Sequence, residues 1–248
     1  MQDKPHISSA FDDDLRKIST RIAEMGGLAE EQLASALEAM ANRDDALAEQ
    51  VIKADRKLDE MEIALEQAAI QVIALRAPVA SDLRAVIAAL KIASALERIG
   101  DLAKNIAKRT LILNQTHPLK VMSSIGRMGK QTQTLTAEAL DAWTAGDKAL
   151  AVSVWRRDVE IDEMHNSIVR ELMTYMMEDP RNIGLCSQLL FVVKNIERIG
   201  DHTTFIAEMT YYVATGEPLT DDRPKVDNVG ELTDPSEPDA AGGAPGQS

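Results

Sequence analysis

One cysteine, three phenylalanines, three tyrosines and two tryptophans in 248 residues remove several possibilities before any pattern is read. A single cysteine, Cys186, permits neither an internal disulfide framework nor a cysteine-cluster metal site, and reads as a small core residue. Basic residues are scarce as well: 27 Lys and Arg stand against 40 Asp and Glu, a net charge of −13. That balance argues against a nucleic-acid partner, which needs a basic face to neutralise phosphates, and favours cations or basic partners. No apolar stretch escapes interruption by charge for the length of a membrane span. The amino-terminal "MQDKPHISSAFDDD" lacks a basic segment followed by an apolar run, so a cytoplasmic protein is expected. None of the four histidines sits in an HExxH pattern, and there is no glycine-rich phosphate loop, P-loop or nucleophile elbow. An enzyme is not expected.

What is present points to helices packed on helices. Ala, Leu, Ile, Glu and Met dominate a chain that is 45% apolar and only 3% aromatic. Sliding the sequence against itself by 103 residues aligns "DDALAEQVIKADRKLDEM" (44–61) with "DKALAVSVWRRDVEIDEM" (147–164), nine identities in eighteen. The register also pairs Ile22 with Ile125, Met25 with Met128 and Leu37 with Leu140, and by a second "ERIGD" pentapeptide (97–101 and 197–201) the offset has fallen to 100.

Each repeat reads as three helices, with boundaries near 8–41, 45–76, 81–114, 119–145, 148–177 and 182–215. Leu47, Val51, Ala54, Leu58, Met61, Leu65, Ala68, Val72 and Leu75 follow alternating spacings of four and three, the seam of a long bundled helix. Asp44 and Asp147 stand at N-cap positions, and Pro78 and Pro180 close the helices before them. The expected fold class is therefore all-α, two tandem three-helix bundles over 8–115 and 116–216. The segment 217–248 holds five prolines and eight acids against two bases, and reads as a disordered acidic tail. Trp143 and Trp155 flank one turn as core or staple residues, and the methionines, Met176 and Met177 included, read as gap-fillers.

The acids carry the functional signal. Glu97, Asp101 and Asn105 lie four apart on one helical face, nearly opposite the apolar seam, while Asp55 and Asp59 form a row flanking the seam of the preceding helix. Pro78 is nineteen residues from both Asp59 and Glu97, and twenty-three from both Asp55 and Asp101. On antiparallel helices of equal rise those pairs stand level. In the second repeat Asp162 with Glu197, and Asp158 with Asp201, are centred in the same way on Asp179 and Pro180. Four carboxylates gathered without cysteine suit a hard cation, Mg²⁺, Mn²⁺, Ca²⁺ or iron, with Asn105 as a further oxygen. A solvated outer face is the competing interpretation, with Arg98, Lys104 and Lys108 as ordinary surface partners. Asp162 and His165 share the spacing of a di-metal Glu-x-x-His pair, but Glu62 in the first repeat leaves only half of such a site.

"LKIASALERIGDLAKNIAKR" (90–109) and "NIERIGDHTTFIAE" (195–208), at the ends of two duplicated three-helix units, resemble the signature of the PhoU family of phosphate-signalling regulators, a resemblance spanning roughly 8–216. It implies two tandem three-helix bundles and a homodimeric adaptor that restrains phosphate uptake and the phosphate-starvation response. Its implied partners are the ATPase subunit of the phosphate ABC transporter and the phosphate-sensing histidine kinase, which would hold it at the membrane through contact alone. The resemblance also implies divalent or multinuclear metal (iron, Mn or Mg) on Glu/Asp-x-x-x-Asp motifs. These match Glu97 and Asp101, then Glu197 and Asp201, faced by Asp55, Asp59, Asp158 and Asp162. The family pattern continues to Asn, present as Asn105 but replaced by Phe205 in the second repeat, so a weaker or altered second site is expected.

Overall fold

The computed structural model describes residues 5–219. It is all-α, with helices α1 (Pro5–Asn42), α2 (Asp45–Ala54), α3 (Arg56–Arg76), α4 (Ser81–Leu113), α5 (Met122–Ala145), α6 (Lys148–Glu178) and α7 (Ile183–Thr215). A single 3₁₀ turn, Pro180–Asn182, leads into α7. No described helix is long and apolar enough to cross a membrane. The tail expected over 217–248 lies, from residue 220 onward, outside the described residues.

Chain stops and starts follow local chemistry. Asp44 accepts from the Leu47 N–H at 3.0 Å, and its counterpart Asp147 from the N–H groups of Ala149 at 2.9 Å and Leu150 at 3.0 Å. Both satisfy donors that the first helical turn leaves open. Just before these caps, α5 ends on Gly146 in the left-handed region at φ 64°, whereas the equivalent Arg43 adopts φ 56° without being glycine. Arg43 is held there from outside. Its guanidinium donates to the carbonyls of Asn114 and Thr116, each at 2.7 Å, tying the α1 exit to the end of α4.

The expected helix over 45–76 is interrupted at Asp55, which keeps right-handed helical angles (φ −53°, ψ −41°) but accepts a tightened bond from the Leu58 N–H at 2.9 Å. The seam also shifts there: Ala54 is exposed and Asp55 is buried. Periodicity alone assigns the alanine to the core. The structure instead turns the carboxylate inward because a cation from α4 meets it.

Helices α2 and α3, two segments of one interrupted rod, pack on α1 and α4, α5 and α6 pack on α7, and the two groups of three rods meet where α4 lies against α7 and α1 against α5. Their buried side chains form one continuous apolar cluster that includes Ile22, Met25, Leu58, Leu96, Ile99, Ile125, Met128, Ile161, Ile196 and Ile199. Cys186 is in it, and Trp155 is buried with its indole N–H donating to Glu208 at 2.9 Å. Leu75 and Met177, in the last turns of α3 and α6, are exposed rather than packed. Leu75 lines a surface cavity beside α1 with Lys17 and Arg21.

The α1–α5 crossing is reciprocal. A Cβ placed on Gly26 would stand 2.8 Å from a Leu140 methyl, and one on Gly129 would stand 2.6 Å from a Leu37 methyl. Gly26 and Gly129, like Leu37 and Leu140, are 103 residues apart. Each helix thus offers a leucine to the other's glycine, which is the contact pattern of a two-fold axis.

Candidate metal centre

Asp55 sits at the α2–α3 junction, 5% exposed. Lys104, on α4, reaches it with its ammonium and also meets Asp101 at 2.5 Å. The level pairing of Asp55 with Asp101 is therefore visible as a salt link between the two helices. Glu97 lies one turn before Asp101, and Arg98 stands beside both carboxylates at 3.3 Å. Asp59 and Asn105 are half-buried on the same helices. Gly100 lets this face close up: a Cβ there would fall 2.3 Å from a Leu58 methyl and 3.0 Å from Oε1 of Gln32 on α1.

The acids of the first set act on one another and on the cations beside them. Glu97 is pushed up to about 7 by burial first, then by Asp101, with Glu62 and Asp59 adding to it against the opposing charge of Arg98. Burial also raises Asp101, but hydrogen bonding and charge from Lys104, with Arg98, outweigh it and hold this carboxyl below its ordinary value. Burial disfavours the Lys104 ammonium, yet its bonds to Asp101 and Asp55 reverse the sign and hold its proton more tightly than usual. Sequence spacing did not bring Glu62 or Gln32 into this group, since neither belongs to a repeated acidic row. Lys104, expected as a surface partner, is instead 20% exposed and links two helices.

The second set is built on the same plan with different neighbours. Asp158 is 1% exposed, and its Oδ1 lies 3.0 Å from where a Cβ on Gly200 would stand. Asp162 is half-buried, Asp201 is exposed, and Glu197 is paired with Lys194 at 2.7 Å. Thr204 occupies the position of Lys104, its hydroxyl bonded to its own helix at Gly200, 3.0 Å, and Asp201, 2.9 Å. Phe205 is half-buried where the first repeat has Asn105. His202 is half-buried, and burial, then Arg198 and Arg98, lowers its proton affinity. The influence of Arg98 on His202 shows that the two "ERIGD" segments adjoin across the α4–α7 contact.

As the side chains stand, no three carboxylate, histidine or cysteine groups among the described residues converge closely enough to hold a metal ion. The donor chemistry nevertheless suits one. The first set is all oxygen, its Glu97 is held protonated toward neutrality by burial first and by the neighbouring acids second, and Asp55 and Asp101 already chelate a cation in the form of the Lys104 ammonium.

A pH dependence follows from Glu97. Its unfolded value is 4.5 and its folded value about 7, so between them the folded chain holds a proton that the unfolded chain lacks. This group therefore favours folding at low pH, and the benefit is lost as pH rises through the folded value. The thermal midpoint of chelator-treated protein is expected to fall between pH 5 and pH 7.5 more steeply than that of Glu97→Gln. Parallel curves for the two proteins would remove Glu97 as the source.

A family model described as the PhoU domain matches the chain twice, over residues 22–110 and 125–210. The phosphate-specific transport system accessory protein PhoU homolog of Caulobacter vibrioides is 49% identical over 223 residues, covering 90% of this chain and 97% of that protein. Its counterpart in Rhizobium meliloti is 46% identical, covering 92% of this chain and 98% of that protein. Among solved structures, PhoU from Pseudomonas aeruginosa superposes with a TM-score of 0.82 at 36% identity, covering 84% of this chain and all of that one. The phosphate transport system regulatory protein PhoU from Streptococcus pneumoniae gives 0.79 at 30% identity, over 85% of this chain and 99% of that one.

Proposed function

This chain belongs to the PhoU family, and from that premise we propose that it is an accessory regulator of a phosphate transport system. It acts by contact, holding down the phosphate-starvation response and phosphate uptake when phosphate is plentiful. Its partners in this reading are the ATPase subunit of the phosphate ABC transporter and the phosphate-sensing histidine kinase. It works as a cytoplasmic homodimer that reaches the membrane only through them. The observation that carries the proposal is the double family match, one copy on each half, in a chain that spans nearly the whole length of relatives named as accessory proteins of phosphate transport.

Metal belongs to the same proposal. Asp55, Asp59, Glu97, Asp101 and Asn105 would hold a divalent or multinuclear centre of iron, Mn or Mg in the first repeat, and Asp158, Asp162, Glu197 and Asp201 in the second. When bound, such a centre supplies positive charge that cross-links helices from their acidic faces. The chain's own residues do the rest: Asp55 and Asp101 tie the α2–α3 junction to α4, and Gly100 and Gly200 bring the facing helices close. The ion pairs that Lys104 and Arg98 make with these acids favour a second reading, a helical scaffold that needs no metal.

Deleting the coding region is expected to switch on alkaline phosphatase in cells grown with abundant phosphate, and restoring the wild-type chain should silence it. Starvation genes that stay silent in the deletion strain would overturn the regulatory proposal. Metal content, measured by elemental analysis of protein purified without chelator, should drop by at least half in a triple variant, Asp59→Ala, Glu97→Ala, Asp101→Ala. Equal content in both would leave the scaffold reading standing.

A further inference from the structure

The two acidic stations are copies by descent, yet the first has a lysine and a glutamine that the second lacks. Lys104 is replaced by Thr204 and Gln32 by Leu135. Lys104 reaches from α4 to the α2–α3 junction, and Gln32 on α1 faces Gly100 of α4 beside Leu58 of α3. The Lys104 ammonium bridges Asp55 and Asp101, and so holds the oxygens that a metal would need. Gln32 is 3% exposed, and neither its amide oxygen nor its amide nitrogen has a hydrogen-bond partner. Its Oε1 abuts Gly100, the residue before Asp101, and shares that space with Leu58, three residues after Asp55. A buried amide without a protein partner keeps its oxygen free to act as a neutral ligand.

Resting on the cation reading of this station, we propose that it is an exchange site. The Lys104 ammonium fills it in the metal-free chain, and a hard divalent cation displaces the ammonium and gains the Gln32 amide oxygen as a neutral ligand. The chemistry is consistent at each end. Carboxylate and amide oxygens are the ligands Mg²⁺ and Mn²⁺ prefer, and a displaced lysine can lift its head into water while its apolar stem stays packed. Lys104 is already 20% exposed, so the route outward is short. The residue thus sets the threshold cation concentration at which this station loads, and the second station, with Thr204 and Leu135, has no such threshold of its own.

The test uses full-length, chelator-stripped protein and MnCl₂ as probe, with free Mn²⁺ read by electron paramagnetic resonance and the thermal midpoint read in parallel. Removing a unit charge from beside two carboxylates in Lys104→Gln is expected to tighten one class of Mn²⁺ site by about tenfold. Lys104→Arg, which keeps the charge and the fold, should not tighten it. Gln32→Leu, the second repeat's own solution, should weaken the same class by about tenfold while raising the metal-free midpoint. Unchanged Mn²⁺ affinity in Lys104→Gln, or in Gln32→Leu, overturns the exchange site and leaves the cation reading intact. No Mn²⁺ uptake by the wild type or any variant overturns both.

Discussion

Replacing Lys104 with methionine lowers the stability of the metal-free protein by about 3 kcal/mol, the range for stripping one partner from a buried ion pair. The magnitude rests on what is left behind. Asp55 is 5% exposed and, without the ammonium, is a desolvated carboxylate in the core seam, while Asp101 loses the bond that holds its proton affinity down. Methionine preserves the packing of the stem, so lost volume contributes little. Arg98, which is 56% exposed and pairs with the same Asp101, is the internal control: Arg98→Met should cost less than about 1 kcal/mol. Denaturant unfolding measures both. In a double-mutant cycle, Asp55→Asn should recover part of the Lys104→Met loss, because it removes the stranded charge. A Lys104→Met loss under about 1 kcal/mol would show that the link is an ordinary surface pair.

The second large effect is at the α1–α5 crossing. Alanine at Gly26 or Gly129 needs only a leucine methyl to swing aside, and alanine's helical advantage of about 1 kcal/mol offsets that. Valine does not fit so easily. Its branched methyls meet Leu140 or Leu37 at the closest point between the helices, where a single added carbon already falls within 2.8 Å or 2.6 Å. Overpacking of this kind costs about 1 to 3 kcal/mol per site. The double variant Gly26→Val, Gly129→Val should therefore lose about 4 kcal/mol, seen as a lower urea midpoint. A midpoint equal to the wild type's would mean that the crossing has slack.

The helical class, the six rods and both N-caps were legible in the sequence because each depends on short-range pattern: apolar spacing, Asp44 and Asp147, and the breaks at Pro78 and Pro180. The level pairing of Asp55 with Asp101 was legible too, since a hairpin's geometry follows from counting residues on either side of its turn. Burial was less so. Ala54 and Asp55 are neighbours within one arc of the helix, and only the arrival of Lys104 from α4 decides that the charged one turns inward. Gln32 gave no signal, being a polar residue on a helix whose partners are set by tertiary contact. Leu75 continues its stripe correctly and Met177 reads as a gap-filler, but periodicity and composition do not say which positions at the end of a helix its neighbours cover. Gly26 and Gly129 could be paired by the repeat, though not matched to Leu140 and Leu37, because the crossing joins helices from different halves.

That crossing also bears on how the two acidic stations came to differ. A surface that offers both a leucine knob and a glycine hole, matched to a copy of itself, is what two identical half-length chains would need to associate. In such a pair every substitution occurs twice, and the two stations must change together. Fusion into one chain lifts that constraint. Lysine could arise at 104 with threonine at 204, and glutamine at 32 with leucine at 135, so that symmetric architecture carries asymmetric chemistry.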